Sequence, residues 1–553
     1  MSFKNDLSKF KPRKEQREAL DFIDSEYKSN PNNKFFLLNL PVGTGKSHLA
    51  LMITDWYRKN VNRSTRVDII TNSKILQDQY SQSYESISDL KGKDNYECKN
   101  FSCSCAQGAE FNRLNKTTCE ECPYSSARDG FINGGISLTN FYLYILYAMY
   151  NPKLMENRGS KVLIVDECHE FDDVMSNFVS IRMSANIIKK FKFSNEHEIL
   201  KQLKYVNSTD KYVDFLRFLL NEIIPTIESM ENGLGNMPRN IREDKRDLKI
   251  SKLLKSKNVD VKLMQLITDL KQYQTKITIF LKEYKDNPNN WVLETSYNEK
   301  TNQKELSLEP IWAYDYLDKY VFSNYDMVFL MSGTILDKSL FCQINGLDVS
   351  KASYYSISSP FNVKNRPIYY MPLGKMSYKN KEETFKRYIP YIKKLLEKYK
   401  GRKGIIHTNS FELSNWIKDS IKDPRLVYHN SSDKDDVLRF HKESKEPTVL
   451  VSPSMGTGVS FDNDDARFQI IAKIPYPSLA SQKNKLRQKN NPEWYSWKTV
   501  SGIVQMSGRP VRSTLDYADT IILDGSFGDV IKYSSHYIPN WVQDAVKRIN
   551  VKF

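Results

Sequence analysis

The stretch Leu40-Pro41-Val42-Gly43-Thr44-Gly45-Lys46-Ser47 limits the possible folds of this chain more than any other. An apolar run, Phe35 to Leu40, precedes it and reads as a buried strand; a helical pattern, His48 to Tyr57, follows it. A strand feeding a glycine loop that opens a helix with Lys-Ser is the setting of a phosphate-binding P-loop within an α/β sheet. Gly43 and Gly45 let backbone N–H groups turn inward around phosphate oxygens, and the helix N-terminus adds its partial positive charge. Lys46 is placed to reach the β- and γ-phosphates and Ser47 to hold Mg²⁺. Leu40 stands where the common pattern has its first glycine. Alone, the run also fits a plain glycine turn, so a second element has to decide.

That element is Val162-Leu163-Ile164-Val165-Asp166-Glu167-Cys168-His169, an apolar strand with two carboxylates at its C-terminal end. Asp166 is placed to organise Mg²⁺ through water and Glu167 to polarise an attacking water. Together the two elements read as a nucleoside triphosphatase.

The chain has 553 residues, enough for three or four structural units, and 40% hydrophobic and 12% aromatic content allows substantial cores. Its net charge of +16 suits a polyanionic partner. No stretch reaches the roughly 18 apolar residues of a membrane span, and the polar N-terminus does not read as a signal peptide. The expected location is the cytoplasm, or association with the nucleoid, with no membrane partner. In such a reducing compartment the seven cysteines are not expected to form disulfides.

Upstream of the loop, Gln16 stands in Pro12-Arg13-Lys14-Glu15-Gln16, where its amide can read an adenine edge through a donor and an acceptor. Val67 to Ser73 reads as another strand ending in small polar residues, followed by a helix with Leu76, Gln77 and Gln79. Such strand ends lie on the functional edge of an α/β sheet and suit phosphate-backbone contacts. Cys98, Cys103, Cys105, Cys119 and Cys122 cluster next. Thiols this dense point to Zn²⁺ or an iron–sulfur cluster. Cys105 is preferred to Cys103 as a ligand because Ala106-Gln107-Gly108 offers a turn behind it, with Cys103 the alternative.

Residues 175 to 290 show helical stripes instead, one through Tyr212, Phe215, Leu216, Leu219 and Ile223 and another through Leu263, Leu266, Ile267, Leu270, Tyr273 and Ile277. Both read as core seams, joined by a mixed-charge connection from Arg239 to Lys257, with a hairpin from Trp291 to Leu308 leading back. The α/β pattern resumes with Asp326 to Thr334, and a second α/β domain follows. Near its end, Gln505-Met506-Ser507-Gly508-Arg509-Pro510-Val511-Arg512 puts two arginines three apart, on one face if the segment is a helix. Facing the phosphates, Arg509 and Arg512 would act as arginine fingers.

In order and combination these stretches resemble the iron–sulfur superfamily-2 DNA helicases of the XPD/DinG type. Pro41 to Ser47 resembles that family's first motif, which also lacks the leading glycine. Thr71-Asn72-Ser73 resembles its second, Ser332-Gly333-Thr334 its third, and Ser359-Pro360-Phe361 with Asn365-Arg366-Pro367 the entry to its second motor. Asp166-Glu167-Cys168-His169 matches a DEAH box with Cys168 in place of Ala, bringing His169 into the catalytic set. Gln505, Gly508, Arg509 and Arg512 fit the sixth motif. Thr457 and Ser460 depart from the fifth, which usually carries an acidic residue.

The resemblance implies two RecA-like motor domains, with a small cysteine-rich insertion and a mostly helical arch in the first. The expected boundaries are 1–95, 126–175 and 309–352 for the first motor, 96–125 for the cluster insertion, 176–308 for the arch and 353–553 for the second motor. It implies ATP with Mg²⁺, and a [4Fe-4S] cluster on Cys98, Cys105, Cys119 and Cys122, with Zn²⁺ as the alternative. The implied partners are single-stranded and forked DNA in repair or replication, with 5′-to-3′ movement. The competing reading is a DNA-stimulated translocase that does not unwind duplex. The compact size also fits a virus-encoded enzyme acting in a host cytoplasm.

Overall fold

A computed structural model describes residues 11–550 except 101–102, 116–117, 236–257, 298–302, 431, 457–458, 460, 462 and 512. The expected Arg239–Lys257 connection and Thr457, Ser460 and Arg512 therefore lie wholly or largely outside the described residues.

Two seven-stranded sheets, each parallel throughout, carry the chain. The first runs, edge to edge, Ala352–Ser356, Phe35–Asn39, Met327–Ser332, Val162–Asp166, Val67–Thr71, Ile136–Asn140 and Ile87–Asp89. Its central strands are buried on both faces, which is why they read as unbroken apolar runs. Phe36, Leu38, Ile69, Ile164 and Phe329 pack on one side with the helix Lys46–Asn60. Phe35, Leu37, Ile70, Leu163 and Val165 face the other side, where the core continues into the helical insertion. The sheet runs past the expected boundary at 352. Ala352–Ser356 pairs in parallel with Phe35–Asn39, so the first domain ends only after Ser356.

The second sheet runs Leu426–Tyr428, Val449–Ser452, Gly404–His407, Phe468–Ile471, Asp519–Asp524, Ile368–Gly374 and Val546–Arg548. In both sheets the strand C-terminal ends lie on one edge, where an open α/β sheet gathers its functional loops.

Two insertions leave from that edge of the first sheet. The cysteine segment follows Ile87–Asp89 and returns through the helix Pro123–Asn133. Within it a short antiparallel turn forms: the Cys98 N–H donates to the Cys103 carbonyl at 2.8 Å, and the Cys105 N–H to the Tyr96 carbonyl at 2.8 Å. Behind Cys105 stands a helix, Cys105–Asn115, rather than the expected turn, since Gly108 is tolerated inside it.

The second insertion follows the strand Val162–Asp166. Its helices Thr209–Gly235 and Asn258–Tyr284 pack on each other through the two expected stripes, including Leu216, Ile223, Leu270 and Ile277. Burying each such side chain contributes about 1.5–3 kcal/mol. The expected hairpin is Trp291–Tyr297 with Lys304–Pro310, joined by Ile181–Ser184 into a three-stranded antiparallel sheet. Among the described residues no helix is long and apolar enough to cross a membrane.

Candidate active site

The glycine loop needs backbone that only glycine adopts freely. Gly43 has φ 85° and Gly45, which caps the helix Lys46–Asn60, has φ 76°. A side chain at Gly43 would also meet Phe361 of the second domain at 2.0 Å. Thr44 closes the turn, its hydroxyl donating to the Pro41 carbonyl at 2.9 Å. Leu40 continues the sheet, its N–H donating to the Ser332 carbonyl at 2.7 Å.

Gln16 sits against this loop. Its Nε2 donates to the Gly45 carbonyl at 3.0 Å and its Oε1 accepts the Arg13 N–H at 2.9 Å. The amide expected at an adenine edge is thus engaged by the loop and its own helix start. Arg13 also reaches the Gly43 carbonyl through Nη1.

Lys46 faces the strand Val162–Asp166 across the loop. Its Nζ lies 3.0 Å from Glu167 Oε1. Glu167 has φ 59°, a conformation unusual outside glycine that turns the chain sharply after the buried strand. Its pKa lies below the usual carboxylate range, because burial, which opposes ionisation, is outweighed by Lys46 and then His169. Glu167 is therefore a carboxylate at neutral pH, as a group that polarises water must be.

Asp166 is buried, accepting the Tyr80 hydroxyl at 3.0 Å on one oxygen and the Glu167 N–H at 3.0 Å on the other. Tyr80 also feels the Ser47 side chain, so one phenol stands by both groups expected to hold Mg²⁺. No local pattern marks Tyr80 in the sequence; only the fold brings it there. The donor set, a hydroxyl and a buried carboxylate, fits a hard divalent cation. Such a cation would neutralise phosphate charge there. Burial pushes the Asp166 carboxyl up to about 6, with Lys46 opposing. Only the ionised form binds a cation, so apparent Mg²⁺ affinity is expected to fall about tenfold per pH unit below that value and to level off above it. Mg²⁺-dependent nucleotide binding measured at pH 5 and pH 7.5 checks this; equal affinities would place the cation elsewhere.

A chain of side chains leads from Glu167 to the second domain. His169 Nδ1 is 3.4 Å from Glu167 Oε2 and 2.8 Å from Ser332 Oγ. Ser332 Oγ is 3.3 Å from Thr334 Oγ1, which accepts from Gln505 Nε2 at 3.0 Å. Arg509 lies beyond the helix Pro492–Ser507 rather than on it. The following proline disfavours helix at this residue, so the expected two-arginine helical face does not form. Arg509 lines the cleft, nearly buried, with Nε donating to the Gly456 carbonyl at 2.6 Å. The cleft between the two domains encloses about 530 Å³ and draws on both, with Lys46, Asp166 and Glu167 opposite Gln505, Arg509 and Arg366.

Behind it lies a buried charge junction. The Arg487 guanidinium, 1% exposed, is 2.9 Å from Asp172 Oδ2, 4.7 Å from the Trp312 ring and 5.4 Å from that of Trp494. Lys498 Nζ lies 2.6 Å from Asp173 Oδ2, and Glu294 Oε1 accepts from Ser481 Oγ at 2.7 Å. First domain, insertion and second domain all meet here.

The cysteines lie at the far end of the first domain. Cys98, Cys103, Cys105, Cys119 and Cys122 are free thiols that lie near enough to one another to influence each other's ionisation. Burial, then neighbouring thiols, push Cys103 up to about 11. Among the described residues no group of three or more Cys, His, Asp and Glu side chains has the arrangement of metal ligands.

Two family models match the chain: a type III restriction enzyme res subunit over residues 9–197 and a helicase C-terminal domain over residues 392–545. A probable ATP-dependent helicase of Methanocaldococcus jannaschii is 21% identical, over 91% of this chain and 90% of that protein. The ATP-dependent DNA helicase CHL1 of Vanderwaltozyma polyspora is 20% identical over 74% of this chain, which spans only 56% of that protein. A solved XPD helicase superposes with a TM-score of 0.61 at 15% identity, covering 98% of this chain and all of that one (100%). The Xpd4 structure from S. tokodaii gives a TM-score of 0.58 at 14% identity, covering 97% of this chain and 100% of that one. Two parallel α/β domains around a glycine-loop cleft, a matched helicase C-terminal domain and relatives that are ATP-dependent helicases mark an ATP-hydrolysing helicase. In sequence the chain is similar to ATP-dependent helicases, and in fold to the XPD helicases.

Proposed function

We propose that this enzyme is a DNA helicase that moves 5′ to 3′ along one strand and separates duplex ahead of it. The continuous side-chain path from Glu167 through His169, Ser332 and Thr334 to Gln505 carries this reading. It lets the state of the nucleotide be felt by the second motor, whose opening and closing would shift the pair along DNA. Lys46 holds phosphate, Ser47 and Asp166 hold Mg²⁺, Glu167 activates water, and Arg509 with Arg512 completes the site on closure. The net charge of +16 and the polar strand ends on the functional edge favour a phosphate backbone.

The thiol-only donor set at the insertion supports an iron–sulfur cluster on Cys98, Cys105, Cys119 and Cys122, with Cys103 as the alternative to Cys105. The mutual repulsion of these thiols on ionising is what a cationic centre relieves. Its role is to hold the insertion as a wedge beside the arch.

One anaerobic preparation tests both statements. Protein carrying iron and sulfide is expected to unwind a 5′-tailed fork with ATP and to leave the matched 3′-tailed fork intact. ATP hydrolysis without unwinding of either fork would favour the translocase reading. Colourless protein carrying zinc would replace the cluster.

A further inference from the structure

Glu170 follows the catalytic motif directly and has no part in the mechanism above. Its Oε2 accepts from Asn72 Nδ2 at 2.9 Å. Its Oε1 lies 3.5 Å from His169 Nε2. That second contact is long, and His169 Nε2 is buried without a hydrogen-bond partner. The other ring nitrogen of His169 reaches Glu167 and Ser332. Asn72 stands just past the strand Val67–Thr71, on the edge proposed above to take the nucleic-acid backbone, and its side chain lines the cleft. Three side chains, Asn72, Glu170 and His169, thus join that edge to the carboxylate that activates water, and one joint is slack. Burial opposes ionisation of Glu170, yet His169, Asn72 and Lys498 hold its pKa down at about 2. The joint therefore carries a full negative charge, and the second motor contributes to it through Lys498.

We propose that Glu170 is a positioning residue that reports nucleic acid bound at Asn72 to Glu167. In the free enzyme Asn72 holds Glu170 short of a good hydrogen bond to His169. When the Asn72 amide donates to a phosphate oxygen instead, Glu170 is released to accept from His169 Nε2. As an imidazolium donating through Nε2 to Glu170 and through Nδ1 to Glu167, the ring is then held from both sides, and with it the Glu167 carboxylate in front. Nothing is transferred covalently; one amide donor changes acceptors and one carboxylate closes a gap.

The proposal rests on the helicase reading, and the test separates the two. ATP turnover is measured for the full chain with and without saturating oligothymidylate, in wild type, Asn72→Ala, Glu170→Gln and the double variant. Wild-type turnover that DNA does not raise would overturn the helicase reading itself. Given wild-type stimulation, the relay predicts opposite signs. Asn72→Ala frees Glu170 and raises DNA-free turnover about threefold. Glu170→Gln lowers DNA-stimulated turnover about tenfold, with the KM for ATP within about twofold of wild type. The double variant behaves as Glu170→Gln, because the released residue is no longer charged. A structural role for Asn72 would lower DNA-free turnover, not raise it. Unchanged or lowered DNA-free turnover in Asn72→Ala overturns the relay, as do losses in the double variant that simply add. Should Glu170→Gln melt below the assay temperature, the sign of the Asn72→Ala effect decides alone.

Discussion

Glu167→Gln is expected to lower ATP turnover about 10³-fold while leaving ATP binding in place, since losing a positioned general base typically costs about 10²–10⁴-fold. The substitution keeps the shape of the side chain but removes the charge that draws a proton from water. The surroundings of Glu167 show why the charge matters. Lys46 and His169 hold it ionised against burial, and the turn at φ 59° presents it to the cleft. Lys46→Ala is expected to differ, losing turnover and phosphate binding together and leaving Glu167 without its partner at 3.0 Å. Single-turnover hydrolysis alongside equilibrium binding of a labelled nucleotide separates the two patterns. Equal loss of binding in both variants would mean that Glu167 serves the ground state.

Arg487→Ala is expected to destabilise the enzyme by about 3–5 kcal/mol, the usual penalty for stripping one partner from a buried ion pair. The guanidinium lies over the rings of Trp312 and Trp494 and faces Asp172 at 2.9 Å. Its removal leaves a buried carboxylate without its charged partner and a void beside two indoles. The change should appear as a lower melting temperature, with the tryptophan emission shifted in the folded state. Adding Asp172→Asn is expected to restore part of the loss, because the stranded charge goes with it. A double variant as unstable as the sum of the two would show that packing, not charge, holds the junction.

The catalytic strands were legible because they are local and buried on both faces: Phe35–Asn39 and Val162–Asp166 print as apolar runs, and their motifs follow at once. The two stripes of the insertion were legible by their period. What failed to show depends on distant pairing. Ala352–Ser356 carries no apolar run, and only Phe35–Asn39 beside it makes it a strand. Tyr80 has no motif, and its role exists only because its helix crosses behind Asp166. Arg487, Lys498, Asp172 and Asp173 are isolated charges in the chain, and their meeting is a property of three bodies at once. Gln16 was legible as a residue beside the glycine loop, but its present bonds to Gly45 and Arg13 were not, because a flexible amide takes whichever partners the fold offers.

Both insertions depart from the C-terminal edge of the first sheet, and the opposite edge is closed by short connections such as that between Asn60 and Val67. Chemistry and elaboration crowd one side of the first domain, and the other side offers instrument makers a quiet mounting point. A fluorophore or surface tether fixed in that connection would leave the cleft and both insertions untouched. Paired with a second dye on the far edge of the other sheet, beside Gly401, it would time each closing of the enzyme on a single molecule.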